Sequence, residues 1–308
     1  MDFKRYLDKA VVELDREVEK ITEEELRKAT KTDKKLTPLI KAFVLACQGG
    51  KRIRGALVKL GYEIGKKQSS VHPPTAGTGR QSSERKQEES LIADSEAILK
   101  AESSIIKIGA AIEIVHTAIL IHDDIIDKSL TRRGKPSLYA ALGGDHYGVS
   151  QAISLADYGF FLSYKIICET DFPDKLKIKA LNFFSQVMMN TGWGEMLDLE
   201  ETNPLTVMKL KTACYTIAGP LALGAILGGL GLTSPRLRRI KEFGENLGVA
   251  YQIQDDILDL EIRSAEEGRD EVLKFTDKAM KVLPAITKDK TMSKLLQQMA
   301  EYLVQRTK

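Results

Sequence analysis

Apolar residues recur at helical intervals over most of this chain. In residues 2–30, Phe3, Tyr6, Leu7, Val11, Leu14, Val18 and Ile21 line one face and charges fill the other, which predicts an amphipathic helix. A second helical stretch begins at Leu36 to Ala46 and is broken by Gly49 and Gly50; a further apolar run extends from Ala56 to Ile64. Between residues 66 and 90 apolar positions almost vanish, and Ser, Gly, Gln and a Pro-Pro pair take over. Such a segment buries too little surface to offset its ordering entropy, so a disordered loop is expected there. Helical patterning resumes in LIADSEAILKAESSIIKIGAAIEIVHTAILIHDD, and RRGKPS at 132–137 reads as a turn through Gly134 and Pro136. Helices are expected over 147–169, 174–200, 204–230, 235–262, 269–286 and 291–305, punctuated by Pro173, Asn203–Pro204 and Thr233–Ser234–Pro235. No stretch alternates with the period of a strand. The pattern predicts an all-α chain, one domain over residues 1–308, of about ten helices.

Composition narrows the function classes. A hydrophobic share of 43% supports a substantial core, and 46 basic against 43 acidic residues, a net charge of +3, is too even to imply nucleic acid or an anionic membrane as partner. Cys47, Cys168 and Cys214 are widely spaced within apolar sequence and read as reduced core thiols. The N-terminus is charged throughout, which argues against a secretory leader. No segment reaches the roughly 20 apolar residues of a membrane span; AGPLALGAILGGLGL at 218–232 is short and glycine-rich. A soluble cytoplasmic protein is expected.

Two acidic motifs carry the chemistry. Asp123, Asp124 and Asp127 end one apolar run with the spacing DDxxD, and Asp255, Asp256 and Asp259 repeat it in GVAYQIQDDILDL. With 19 aspartates in 308 residues, a chance DDxxD arises in roughly 0.07 such chains, so two are not accidental. On helices, positions i and i+4 share a face about 5–6 Å apart, which stacks Asp123 on Asp127 and Asp255 on Asp259. Such carboxylates repel one another; Mg²⁺, which takes hard oxygen ligands and shares them with substrate phosphates, makes the arrangement sensible. Two basic clusters, GGKRIRG at 49–55 and TRRGK at 131–135, suit direct contact with a second diphosphate.

In order along the chain, GGKRIRG, HTAILIHDDIIDKSLTRRGKPS, KTACYTIAGPLALGAILGG and GVAYQIQDDILDL resemble the motifs of the trans-isoprenyl diphosphate synthases, which include the geranylgeranyl and polyprenyl diphosphate synthases. The resemblance covers about residues 40 to 260. It implies an isoprenoid synthase-type fold of mostly antiparallel helices around a deep central cavity, as a homodimer. It also implies condensation of isopentenyl diphosphate with an allylic diphosphate through Mg²⁺-assisted ionisation to an allylic carbocation, with three Mg²⁺ per site. Asp123, Asp124, Asp127, Asp255, Asp256 and Asp259 match the metal-binding aspartates. Lys51, Arg52 and Arg54 match the basic motif for isopentenyl diphosphate. Arg132 matches an allylic-diphosphate ligand and Arg133 an isopentenyl-diphosphate ligand. Lys211 and Thr212 match a Lys-Thr pair near the reacting carbon, and Gln252 the glutamine before the second motif. Product length in this family responds to residues upstream of the first motif, here Val115, Ala118 and Ile119. The small side chain at 118 implies a product of twenty carbons or longer, with Phe160, Phe161 and Tyr164 as alternative floor residues. After the second motif the sequence departs from the family: Arg263, Arg269 and Lys274 offer cations, none in a clear match. His116 and His122 read as packing or orienting residues on the helix of the first motif. His72 is read as inert.

Two other readings compete. A class I terpene cyclase would not need GGKRIRG, and a non-catalytic subunit of a heteromeric synthase would tend to lose aspartates that are all present.

Overall fold

The computed structural model describes residues 2–69, 84–200, 202–258 and 265–305. Helices follow one another as α1 (Phe3–Thr32), α2 (Leu36–Cys47), α3 (Ile53–Ser69), α4 (Glu84–Ile126), α5 (Leu138–Ala141), α6 (His146–Cys168), α7 (Asp174–Leu199), α8 (Pro204–Val207), a π-helical segment (Met208–Ala218), α9 (Gly219–Leu227), α10 (Pro235–Leu258), α11 (Ala265–Ile286) and α12 (Lys290–Val304). The only strands among the described residues are the two-residue arms β1 (Thr131–Arg132) and β2 (Lys135–Pro136), paired antiparallel around Arg133 and Gly134. Most of the proposed loop at 66–90, with His72, lies outside the described residues. Its two ends are a correction: 66–69 continue α3 and 84–90 begin α4. Asp259 and Arg263 also lie outside the described residues.

Two helical stretches, Ser95–Ile126 and Pro204–Leu227, are long and apolar enough to cross a membrane, contrary to the reading that no segment reaches that length. Their apolar windows are 78% and 72% buried, so both are core helices. The cysteines need a smaller correction. Cys47 is buried and Cys214 half-buried, but Cys168 is exposed at the end of α6.

The chain divides into two compact units. One comprises Lys9–Ala56 and Ile106–Thr170. Its core gathers Leu14, Phe43, Ile108, Ile114 and Ile167, each at most 1% exposed. Full burial of such a side chain contributes about 1.5–3 kcal/mol. Leu14 of α1 fills the space that glycines leave: a Cβ on Gly55 or Gly109 would lie 2.9 or 2.8 Å from its methyls. The Ser163 hydroxyl ties α6 to α4 by reaching the Ala111 carbonyl at 2.9 Å.

The other unit comprises Met1–Asp8, Leu57–Ile105 and Asp171–Lys308. Here α3 and α9 cross backbone to backbone. A Cβ on Gly61 or Gly65 would meet the Leu221 or Ala225 carbonyl oxygen at 2.1 or 2.5 Å, and one on Gly224 or Gly228 the Val58 or Tyr62 carbonyl oxygen at 1.9 or 2.4 Å. The π-helical segment follows from Pro220, which has no N–H for the carbonyl four residues back and whose ring crowds it. The preceding turns widen, and the Gly219 N–H donates to the Cys214 carbonyl five residues back. Ala213, Val249, Ala250, Ile253, Val272 and Phe275 form a core shared by the π segment, α10 and α11.

Candidate active site

The first acidic motif sits where α4 runs out. The Asp127 N–H still donates to the Asp123 carbonyl at 2.8 Å, so the two share a helical register. Lys128 then turns left-handed (φ +53°) and the Ser129 N–H closes onto the Asp124 carbonyl at 2.8 Å. Carboxylates at a helix C-terminus face the negative end of the macrodipole and repel one another, so cations must offset them. One cation is present. Asp124 is 3% exposed, and its Oδ1 accepts from both Nε (2.9 Å) and Nη2 (2.6 Å) of Arg132. Asp124 and Arg132, expected to serve metal and allylic diphosphate, are thus engaged with each other. Asp123 is half-buried and Asp127 exposed. His122 rests on α6, with Nε2 3.7 Å from an Asp157 oxygen and its ring 5.7 Å from that of Phe160.

The basic loop before α3 depends on its backbone. Gly49 and Gly50 have φ of +73° and +99°, and Arg52 adopts +48°. A Cβ on Gly50 would lie 3.2 Å from Arg133 Nη1, so glycine is what lets this guanidinium lie against the loop. Arg52 is turned inward, 4% exposed, donating to Asp15 Oδ1 (2.7 Å) and the Cys47 carbonyl (2.8 Å), with Nη1 3.9 Å from Glu113 Oε2. Arg52, expected among the substrate-binding residues, is thus engaged with α1, α2 and α4. Lys51 is exposed and Arg54 half-buried.

These cations act on His116. Burial, and then Arg54, Arg133, Arg132 and Arg52, hold its pKa well below the ordinary imidazole value, so the ring is neutral. Partial burial and the neighbouring Arg52, Arg132 and Arg54 also draw Arg133 below the usual arginine value, opposed by Glu113. Guanidiniums suit a polyanion because each can donate paired hydrogen bonds to its oxygens. Sequence reasoning read His116 as a packing or orienting residue, one helical turn beyond Glu113 within an apolar run.

In the second unit, the crossing of the π segment with α7 is close enough that a Cβ on Gly194 would lie 2.3 Å from the Lys211 nitrogen. Lys211 Nζ is held between Glu195 Oε2 (2.8 Å) and Asp198 Oδ2 (2.7 Å). Burial lowers its pKa, but these two hydrogen bonds outweigh it and leave the ammonium above its ordinary value. Sequence reasoning missed Glu195 and Asp198, although their i, i+3 spacing in WGEMLD places them on one face. Thr212 follows, half-buried. On α10 the Gln252 amide donates to Asp256 Oδ1 at 2.6 Å, and Asp255 is half-buried beside it.

The residues expected to set product length are in solid core: Val115, Ala118 and Ile119 are 1%, 0% and 6% exposed. A Cβ on Gly159 would lie 3.3 Å from Ala118 Cβ and 2.9 Å from the Phe43 ring, so the small side chain at 118 is matched to a tight helix crossing. Phe161, one of the alternative floor residues, is 76% exposed.

The sequence profile of the polyprenyl synthetase family matches residues 37–304. Among known proteins, the chain is similar to the geranylgeranyl diphosphate synthase of Sulfolobus acidocaldarius, at 33% identity over 171 residues, 52% of this chain and 49% of that protein. It is also similar to the nonaprenyl diphosphate synthase of Mycobacterium tuberculosis, at 32% over 167 residues, 52% of this chain and 46% of that protein. The chain thus spans about half the length of the curated relatives it matches. A geranylgeranyl pyrophosphate synthase of Corynebacterium glutamicum, solved with isoprenyl diphosphate and magnesium, superposes with a TM-score of 0.78 at 17% identity, covering 100% of both chains. That likeness establishes the all-α isoprenoid synthase fold. With a profile match over most of its length and the acidic and basic motifs in place, this chain belongs to the polyprenyl synthetase family.

Proposed function

We propose that this chain is a prenyltransferase that joins isopentenyl diphosphate head-to-tail to an allylic diphosphate and lengthens a trans-isoprenoid chain by five carbons. The observation that carries the reading is the Arg133 guanidinium lying against the Gly50 turn of the basic loop, while the adjacent Arg132 is bound to Asp124 of the first acidic motif. A terpene cyclase has no use for that second anion site. Lys51, Arg54 and Arg133 hold isopentenyl diphosphate, and His116, being neutral, adds a hydrogen bond without adding charge. Asp123, Asp124, Asp127, Asp255, Asp256 and Asp259 serve the allylic diphosphate.

Among the described residues no three His, Cys, Asp or Glu side chains form an all-protein metal cage. The donors fit Mg²⁺ nonetheless, because it binds through one or two carboxylates and completes its shell with phosphate oxygens and water. Asp123 and Asp127 offer such a pair, as does Asp255 with Asp256, and three ions per site are proposed. When bound, Mg²⁺ supplies the charge that lets the allylic diphosphate leave. Lys211 and Thr212 stand at the reacting carbon and its leaving group, and Arg132 steadies Asp124. The isopentenyl double bond then attacks the allylic cation, and the departing diphosphate accepts the proton. We propose a product of twenty carbons or longer, as the names of the geranylgeranyl and nonaprenyl diphosphate synthases it resembles suggest, and a homodimeric assembly.

The test is incubation with labelled isopentenyl diphosphate, each allylic diphosphate from five to twenty carbons in turn, and Mg²⁺, followed by chromatography of the dephosphorylated products. A ladder ending at one length, abolished by EDTA, is expected. Cyclic or hydrolysed products from the allylic substrate alone would overturn the reading.

A further inference from the structure

Among the described residues only three charged side chains are buried: Asp124 at 3%, and Arg52 and Glu113 at 4% each. Asp124 has Arg132. The other two meet behind the basic loop, and their arrangement assigns work to residues outside the motifs. Glu113 sits in the apolar middle of α4, where a carboxylate is costly unless it is paired. One oxygen accepts the Gly55 N–H at 2.8 Å and the other faces Arg52 Nη1 at 3.9 Å. Gly55 is the third residue of α3, so its N–H is one of the donors a helix cannot satisfy within itself. Glu113 therefore caps α3 from another helix, at the positive end of that helix's dipole. Arg52, in its left-handed conformation, is clamped from the other side by Asp15 at 2.7 Å and by the Cys47 carbonyl.

We propose that Glu113 and Asp15 are positioning residues for the diphosphate site formed by Lys51, Arg54 and Arg133; the proposal rests on the prenyltransferase reading. Neither carboxylate touches substrate. Together they hold Arg52 inward, in the loop conformation that leaves Lys51 exposed and Arg54 half-buried. Glu113 also offsets the mutual repulsion of the guanidiniums, since its charge opposes the depression that burial and the other arginines impose on Arg133. Removing either charge leaves the loop chemically intact but free to turn Arg52 outward, and the site then binds a diphosphate less well.

The experiment uses Asp15→Asn and Glu113→Gln. Asp15 is 47% exposed, so its amide is accommodated without disturbing the core, while Gln at 113 keeps an acceptor for the Gly55 N–H and loses only the charge. Loss of one charge-assisted hydrogen bond corresponds to about tenfold in affinity. The expected result is a rise of about tenfold in KM for isopentenyl diphosphate, with kcat and the allylic KM within about twofold of wild type. Calorimetric titration of the metal-free protein with inorganic diphosphate reads the same site without turnover, and should weaken by the same factor. If wild type binds diphosphate and both variants bind it less well, but no substrate is elongated, the positioning role stands and the prenyltransferase reading fails. If elongation is seen but both variants keep wild-type diphosphate affinity and KM, or both KM values rise together, the positioning role is overturned. It is overturned for Glu113 too if Glu113→Gln behaves as wild type while Glu113→Ala does not, because the carboxylate would then act only as a cap.

Discussion

Replacing Ala118 with Phe tests which way the face above the first acidic motif points. Family resemblance alone makes this substitution a product-shortening one. The structure gives a different expectation. Ala118 is fully buried, and its Cβ looks across at Gly159, where even one added carbon would stand 2.9 and 3.1 Å from two Phe43 ring atoms. Phe43 is not free to retreat: Tyr158 meets it edge-on, with ring centroids 6.0 Å apart at 87°, and the Tyr158 hydroxyl is itself bonded to Glu25. A second aromatic ring forced into this crossing should cost about 3 kcal/mol, the upper part of the usual overpacking range, because one wall is helix backbone. With an m-value of about 3 kcal/mol per molar urea, the denaturation midpoint should fall by about 1 M. The double variant Ala118→Phe with Phe43→Ala exchanges large for small across the same contact, and should recover about 1–2 kcal/mol of the loss as a coupling between touching residues. Urea unfolding followed by circular dichroism reads both effects, with product chromatography alongside. A single variant with a wild-type midpoint and shortened products would refute the reasoning, because residue 118 would then open onto free space.

Other consequences can be checked in parallel. Gly194→Ala places a carbon 2.3 Å from the Lys211 nitrogen and should cost about 3 kcal/mol, read as a lower denaturation midpoint; an unchanged midpoint would mean that α7 and the π segment slide apart freely. His116 is held neutral in the folded chain, so its folded pKa lies below the unfolded value near 6.5. Its contribution is complete above that unfolded value and is lost as pH falls below it, where only the unfolded chain takes up the proton, with a slope of at most about 1.4 kcal/mol per pH unit. Comparing midpoints at pH 7.5 and 5.5, His116→Gln should flatten the acid side, and equal slopes in both proteins would contradict a neutral buried imidazole. Burial pushes the Cys47 thiol up to about 12, whereas Cys168 is exposed. Brief maleimide treatment at pH 7.5 should therefore label Cys168 and spare Cys47 by peptide mass spectrometry.

The helices were legible because each buries one face; from residue 146 onward α6, α7, α10, α11 and α12, and the run Pro204–Leu227 taken as one, have bounds within four residues of where periodicity puts them. The polar segment was misjudged at its ends because 66–69 and 84–90 lack an apolar stripe; extending an existing helix needs no new nucleus, so polar residues follow where apolar ones have led. The π-helical turn left no trace in periodicity beyond Pro220. Within the site, residue type revealed the aspartates and arginines but not their allegiance. Lys51, Arg52 and Arg54 look equivalent in sequence; a left-handed backbone and two carboxylates on other helices separate Arg52 from its neighbours. Asp123 and Asp124 are adjacent in sequence, yet Asp124 is buried on Arg132 while Asp123 is half-buried. Glu113 was visible as the one carboxylate in IIKIGAAIEIVHTAILI, yet its partner across the fold was not.

The α3–α9 crossing has a consequence for anyone who would alter this protein. At Gly61, Gly65, Gly224 and Gly228 the neighbours are main-chain atoms, so there is no rotamer to shift and no side chain to trim in compensation. Elsewhere in the core a large residue can be traded for a small one opposite. Along this seam both partners are already at minimum size, and a second-site suppressor would have to move an entire helix. Randomised libraries should keep these four codons fixed and place their diversity where a mistake can be absorbed.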